Sequence, residues 1–253
     1  MLTDAFILGI VQGIAEWLPI SSSGHLVLAQ HFFNLEGGIS FDVFLHLSSL
    51  TVIVIFFRND ILHVAKALIT SDTKSYEFKF AIYVVSASVV TVIVGLILKN
   101  WESLLTNLNV VGLSFLFTTV LLFLSRRETY EKLDLKKAIF VGFMQGVALL
   151  PGVSRSGSTI AGAKIVGVND KDAFRFSFLI LLPAIVGAII LKFEKIALLP
   201  PRFLLVGFST SLVLSFISLT LLKKVVLKNR LHYFGYYCLF LSILTFSLSL
   251  LQF

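Results

Sequence analysis

GIVQGIAEWLPISSSGH, residues 9 to 25, recurs as GFMQGVALLPGVSRSGS, residues 142 to 158. Gly9, Gln12, Gly13 and Ala15 match Gly142, Gln145, Gly146 and Ala148, and the Pro and the Ser-x-Ser-Gly follow with a one-residue slip on either side of the Pro. Each copy joins two short apolar pieces through Pro, Gly and Ser: 5 to 18 with 25 to 33, and 138 to 150 with 158 to 168. At about 1.5 Å rise per residue such pieces reach only partway through a ~30 Å hydrocarbon core, so each copy is expected to enter and return as a helical hairpin.

The surrounding chain is built for a membrane. Of its 253 residues 57% are apolar, 25 are Phe and only 14% are charged, a balance foreign to soluble domains. Apolar runs at 41 to 57, 80 to 98, 110 to 125, 176 to 191, 203 to 222 and 232 to 251 each approach the ~20 residues a spanning helix needs. The start of the chain has neither a basic segment nor a small-residue cleavage site and is expected to belong to the mature protein. The net charge of +7 does not form one face or tail, which argues against nucleic acid as a partner. It falls instead in residues 58 to 79, 126 to 137 and 223 to 231, whereas 99 to 109 carries only Lys99 and 192 to 202 carries Lys192, Lys195 and Arg202. The richer loops are expected on the cytoplasmic side and the poorer two outside. No Lys or Arg precedes Arg58, so residues 1 to 40 must begin and end outside, and 138 to 175 must double back from the inside.

The fold expected is therefore an all-α polytopic integral membrane protein, residues 1 to 253 as one membrane domain, with six transmembrane helices and two re-entrant hairpins. Residues 1 to 125 (hairpin 1 to 40 plus three spans) and 138 to 253 (hairpin 138 to 175 plus three spans) form an inverted-topology repeat, the two breaks meeting near the midplane. Cys238 is the one cysteine, so neither an internal disulfide nor a cysteine metal site is available.

The chemistry gathers at the breaks. Gly9, Gly13, Gly142 and Gly146 stand at i, i+4 spacing and suit close helix packing, and Pro19 and Pro151 stop helices. Glu16 is a carboxylate in an apolar run with no cation in the first 57 residues, costly unless paired, hydrated or metal-bound. Gln12, four residues earlier, shares its helix face, and the two make a pair of oxygen ligands for a metal. Arg155 stands alone between Lys137 and Lys164 and requires an anion. Ser21, Ser22, Ser23 and Gly24 in one turn, and Ser154, Ser156, Gly157, Ser158 and Thr159 in the other, offer hydroxyls and helix N-terminal amides to phosphate. Arg155 adds a bidentate fork, so a diphosphate is the guest these residues suit. His25 lies three residues after Ser22, on the same side of a helix starting there, and is expected to act in catalysis. His31, His46, His63 and His232 have no such company and receive no role.

QGIAEWLPISSSGH and PGVSRSGST (151 to 159) resemble the two signature motifs of the undecaprenyl-diphosphate phosphatase, or bacitracin-resistance, family: Glu/Gln-x-x-x-Glu followed by Pro, a Ser-rich turn, Gly and His, and Pro-Gly-x-Ser-Arg-Ser-x-x-Thr. The resemblance covers essentially the whole chain. It implies hydrolysis of undecaprenyl diphosphate to the monophosphate and inorganic phosphate in the cell membrane, recycling the lipid carrier of peptidoglycan synthesis, at a site open to the outer face. It also implies a divalent cation such as Mg2+ or Ca2+, bacitracin resistance, and homodimers. Glu16, Ser22, His25 and Arg155 fall on positions regarded as central in the family, and Gln12 on a slot that is Glu in some members. The chemistry expected is attack by Ser22 on the terminal phosphorus with His25 as base. Direct attack by water, or Ser23 in place of Ser22, remains open at this stage. A transporter or flippase of a lipid phosphate is the rival reading, since inverted repeats with broken helices also build transporters.

Overall fold

A computed structural model describes residues 2–33, 38–98 and 107–251; Lys99 lies outside them, as do the side chains of His31 and Lys192. The described chain is helical: α1 Leu2–Ala15, α2 Ser22–Phe33, α3 Gly38–Phe56, α4 Arg58–Ile69, α5 Tyr76–Leu98, α6 Leu108–Leu124, α7 Leu135–Val147, α8 Arg155–Ile165, α9 Asp170–Leu179, α10 Leu181–Ala197, α11 Pro201–Leu227 and α12 Tyr233–Leu251. Among the described residues β pairing is confined to one bridge between Glu131 and Val168.

All six apolar runs fall on helices: α3, α5, α6, the α9–α10 pair, α11 and α12. By length and hydropathy four are membrane-crossing candidates, Tyr76–Leu98, Asp170–Leu191, Pro201–Leu227 and Tyr233–Leu250. A fifth is α3 taken with α4, bent by 74°, while α6 at 17 residues is shorter. Two differences from the sequence reading stand out. Residues 58 to 79 are not all loop, because the start of that stretch alternates charged with apolar residues at helical spacing and forms α4. The fourth span starts earlier than 176, at Asp170, where Asn169 caps α9 by accepting the amide of Asp172 at 3.0 Å. Helix α9 gives way to α10 at Ile180, near Pro183, which has no N–H to donate. At this junction the carbonyl of Ile180 accepts from Gln145 Nε2 at 3.2 Å.

The burial pattern is that of a protein in lipid. On α5 the outward residues are Val85, Val89, Val92 and Leu96, whereas Ala87 and Thr91 are buried. Hydroxyls turn inward as interhelical links: Thr91 to the Gly142 carbonyl at 2.9 Å, Ser48 to Ser211 at 2.7 Å and Ser242 to the Gly112 carbonyl at 2.8 Å, as expected where lipid offers no partner.

Small residues bring the hairpins onto the long helices. α1 packs on α11 with Gly9 and Gly13 facing the backbone of Gly207 and Ser211; α7 packs on α5 with Gly142 and Gly146 facing Ala87 and Val94. α6 packs on α12, and α3 on α10. α1 thus leans on α11, far along the chain, and α7 on the earlier α5. These contacts carry both turns into the centre of the molecule.

Candidate active site

The turn between α1 and α2 and the turn between α7 and α8 lock together. Pro19 ends the first helix run, and Ser21 holds a left-handed backbone (φ 67°) that few residues other than glycine adopt. That conformation is fixed by three contacts of its side chain. Its Oγ accepts the Gly24 amide at 3.2 Å, capping α2, and the Gly152 amide at 3.1 Å from the other hairpin, and lies 3.3 Å from Ser23 Oγ. Gly152 has φ 92°, and Gly24 packs against its backbone, leaving no space for a side chain there. Ser154 caps α8 through the Gly157 amide at 3.1 Å, Ser156 donates across to the Leu18 carbonyl at 3.2 Å, and Gly157 faces Pro19. Thr118 of α6 braces the second turn by bonding the Gly152 carbonyl and the Ser154 amide.

Glu16 is the centre of the assembly. It is buried, and its Oε1 accepts from Arg155 Nη2 at 2.8 Å, across 139 residues of sequence. Its Oε2 accepts from Ser22 Oγ at 2.7 Å and from Gln12 Nε2 at 3.2 Å. The anion that Arg155 needs and the cation that Glu16 lacks are each other. Arg155 keeps Nε and Nη1 without a protein acceptor, and the Gln12 Oε1 is likewise buried and unpartnered. The first two amides of α2 (Ser22, Ser23) and of α8 (Arg155, Ser156) have no acceptor among the described residues. Orphaned donors of this kind, at two helix N-termini beside a guanidinium, suit an anion. An aromatic column backs the pair: Arg155 lies 5.3 Å over the Phe178 ring, and Trp17 sits 5.4 Å from it.

Of the expected phosphate ligands, Ser21, Ser154 and Ser156 use their hydroxyls to hold the turns, and Thr159 bonds the Arg155 carbonyl at 2.8 Å and Ser177. Gly24 and Gly157 are the close-approach points between the turns. Ser158 Oγ is buried and unpartnered. Ser22 is half-buried beside Glu16, and Ser23 is exposed.

His25 does not join Ser22. Its Nδ1 lies 2.7 Å from the Ser21 carbonyl and its Nε2 2.8 Å from the Tyr237 hydroxyl of α12, with the ring edge-on to Phe115. A carbonyl only accepts, so Nδ1 carries the proton and Nε2 accepts from Tyr237. The bond to the preceding turn swings the ring toward α12, away from the i, i+3 neighbour.

His46 was missed by sequence reasoning. It enters from α3 with Nδ1 2.8 Å from the Asp42 carbonyl and Nε2 3.5 Å from Glu16 Oε2. The signal was present: an ionisable side chain inside the apolar run 41 to 57, which by default marks function. Among the described residues no group of three or more His, Cys, Asp and Glu gathers as a metal cage. The unpartnered Gln12 Oε1 and the Glu16 carboxylate are the oxygen donors that remain.

The family model for bacitracin resistance protein BacA matches residues 5–244. The chain belongs to the BacA family. Among BacA-type relatives it is 37% identical to the undecaprenyl-diphosphatase of Methanosphaera stadtmanae over 98% of both chains. It is 37% identical to undecaprenyl-diphosphatase 2 of Bacillus thuringiensis over 94% of both, and 35% identical to the undecaprenyl-diphosphatase of Korarchaeum cryptofilum over 98% of this chain and 99% of the relative. With its apolar helices, BacA membership makes this an integral membrane protein.

Proposed function

We propose that the chain hydrolyses the terminal phosphate of undecaprenyl diphosphate, giving undecaprenyl phosphate and inorganic phosphate. The observation that carries this reading is Glu16 bound at once to Ser22 and to Arg155, an acceptor, a hydroxyl and a cation within one hydrogen-bond shell. The relatives' names supply the substrate.

Arg155 offers Nε and Nη1, and the two helix N-termini offer amides, to the terminal phosphate, where negative charge must be held during transfer. Ser22 Oγ attacks phosphorus as its proton passes to Glu16 Oε2. The bond from phosphorus to the bridging oxygen breaks, and undecaprenyl phosphate leaves. As a phosphate with a pKa near ~6 it needs little acid help. Water then opens the phosphoserine: its oxygen bonds to phosphorus, its protons leave on inorganic phosphate, and Ser22 Oγ departs with the proton held on Glu16 Oε2. His25, with Nδ1 on the Ser21 carbonyl and Nε2 on the Tyr237 hydroxyl, positions the Ser-rich turn against α12. Gln12 Oε1 and Glu16 fit a divalent cation when diphosphate oxygens complete its shell, as hard cations commonly require. Such a cation would supply further charge neutralisation.

The reading includes six spans, with α1–α2 and α7–α8 as re-entrant hairpins of an inverted repeat, 1 to 125 and 138 to 253. The exchange of partners, α1 on α11 against α7 on α5, supports it. So does the clustering of Lys164 with Asp170 and Asn229, and of Arg175 with Asp60 and Glu77, at helix ends next to the basic loops. On that topology the site opens to the outer face of the cell membrane.

Incubating purified protein in detergent with an isoprenyl diphosphate and assaying phosphate tests the function. Stoichiometric release supports hydrolysis; a protein that only moves the lipid releases none.

A further inference from the structure

Beyond the far end of α3, about 16 Å along the helix from His46, lies a cavity of about 280 Å³ that the catalytic geometry does not use. It is formed where α3 bends into α4 and meets α9 and the end of α11. Lys171, Arg175 and Lys223 line it with Phe56, Phe57 and Phe174, and Asp60 adds a carboxylate.

The charges in this cavity are not all answered. Arg175 pairs with Asp60 at 2.7 Å and with Glu77, and lies 4.4 Å over the Phe80 ring. Lys171 and Lys223 form no ion pair among the described residues. Both are exposed, and Lys223 Nζ lies 5.3 Å over the Phe56 ring. Two free ammonium groups therefore face an aromatic wall in a space at the lower end of the ~300–1,000 Å³ that whole small ligands occupy. A headgroup fits it, with the rest of the molecule outside. The flank is suited to a bilayer surface: α4 exposes Leu62, Leu68 and Ile69 beside Arg58 and Lys66, the make-up of a helix lying at the interface. Basic pockets between membrane helices near the surface hold anionic lipid headgroups.

We infer that this cavity binds the phosphomonoester headgroup of an anionic membrane lipid, gripped by Lys171 and Lys223 against the Phe56, Phe57 and Phe174 wall. Free inorganic phosphate shares that chemistry, and the test separates the two. The full chain is reconstituted in phosphatidylcholine nanodiscs containing a minor share of phosphatidic acid, and bound lipid is measured by native mass spectrometry. Wild type should retain phosphatidic acid in preference to phosphatidylcholine, and Lys171→Gln/Lys223→Gln should hold it about thirtyfold more weakly. Lys132→Gln/Lys136→Gln removes the same charge from exposed positions just before and at the start of α7 and should bind as wild type does. Lys171→Arg/Lys223→Arg keeps the charges and should retain the lipid, which separates lost binding from lost folding in the glutamine pair. Equal retention by wild type and the 171/223 glutamine pair, or an equal loss in the 132/136 pair, overturns the inference. Displacement of phosphatidic acid by inorganic phosphate at matching concentration overturns the lipid assignment in favour of a soluble anion.

Discussion

Replacing Arg155 by lysine keeps a positive charge beside Glu16 and removes the fork. In the structure one guanidinium nitrogen, Nη2, is committed to Glu16 at 2.8 Å, and Nε and Nη1 remain for the substrate. A lysine ammonium can answer the carboxylate but cannot at the same time present two donors in the guanidinium plane. Hydrogen bonds to charged groups contribute about 1.5–3 kcal/mol each, so losing two costs about 3–6 kcal/mol of transition-state stabilisation. That corresponds to a fall in kcat/KM of about 10²–10⁴-fold. The assay is phosphate release from an isoprenyl diphosphate by purified Arg155→Lys protein, with thermal unfolding as the control for integrity. Truncation to alanine is the poorer experiment, because it strands the buried Glu16 charge at about 3–5 kcal/mol and confounds stability with chemistry. A well-folded Arg155→Lys enzyme working within about threefold of wild type would refute the role given to Nε and Nη1, since that is below 1 kcal/mol.

Other outcomes follow from the same geometry. Ser22→Ala should abolish phosphate transfer to the protein, while Ser23→Ala, which alters an exposed hydroxyl, should retain most activity; rapid-quench trapping of labelled phosphate distinguishes them, and labelling of Ser22→Ala would sink the nucleophile assignment. His46→Ala should lower kcat/KM about tenfold, the value of one lost contact to a charged group, and His46→Gln, with an amide donor of similar reach, should recover most of it; a wild-type rate for His46→Ala would remove His46 from the site. Gly13→Ala places a Cβ 2.7 Å from the Ser211 carbonyl and should destabilise the protein by about 1–3 kcal/mol, read as a lower unfolding temperature in detergent; an unchanged temperature would mean that α1 and α11 do not pack this closely.

The features legible in sequence were those carried by local pattern. The apolar runs gave the long helices, and the repeated Gly, Gln, Pro and Ser gave both turns, because short broken segments in an oily chain have few other solutions. The isolation of Glu16 and of Arg155 in their own neighbourhoods pointed to a distant partner for each, and the structure pairs them. What escaped was set by side-chain direction in three dimensions. His46 is thirty residues from Glu16, and only the packing of α3 beside the first hairpin brings it to 3.5 Å. The turn of His25 toward Tyr237 depends on its bond to the Ser21 carbonyl, which spacing alone does not reveal. Ser21, Ser154 and Ser156 looked like phosphate ligands, yet their hydroxyls fasten the turns, a demand that arises only once two hairpins share one interior. The helix α4 was obscured by charge, since Arg58, Asp60 and Lys66 read as loop although Ile61, Val64 and Leu68 keep helical spacing.

The convergence of the two turns can be tested without any assay of turnover. An ideal Cβ on Gly157 lies 3.1 Å from Pro19 Cβ, within a few tenths of an ångström of the ~3.5–4.5 Å spacing of a disulfide. In a Cys238→Ala background, Pro19→Cys/Gly157→Cys protein held in membranes should form an intramolecular cross-link under mild oxidation, seen by mass spectrometry after proteolysis as one joined peptide pair. Persistence of two free thiols under those conditions would contradict the meeting of the hairpins, and with it the site built on Glu16 and Arg155.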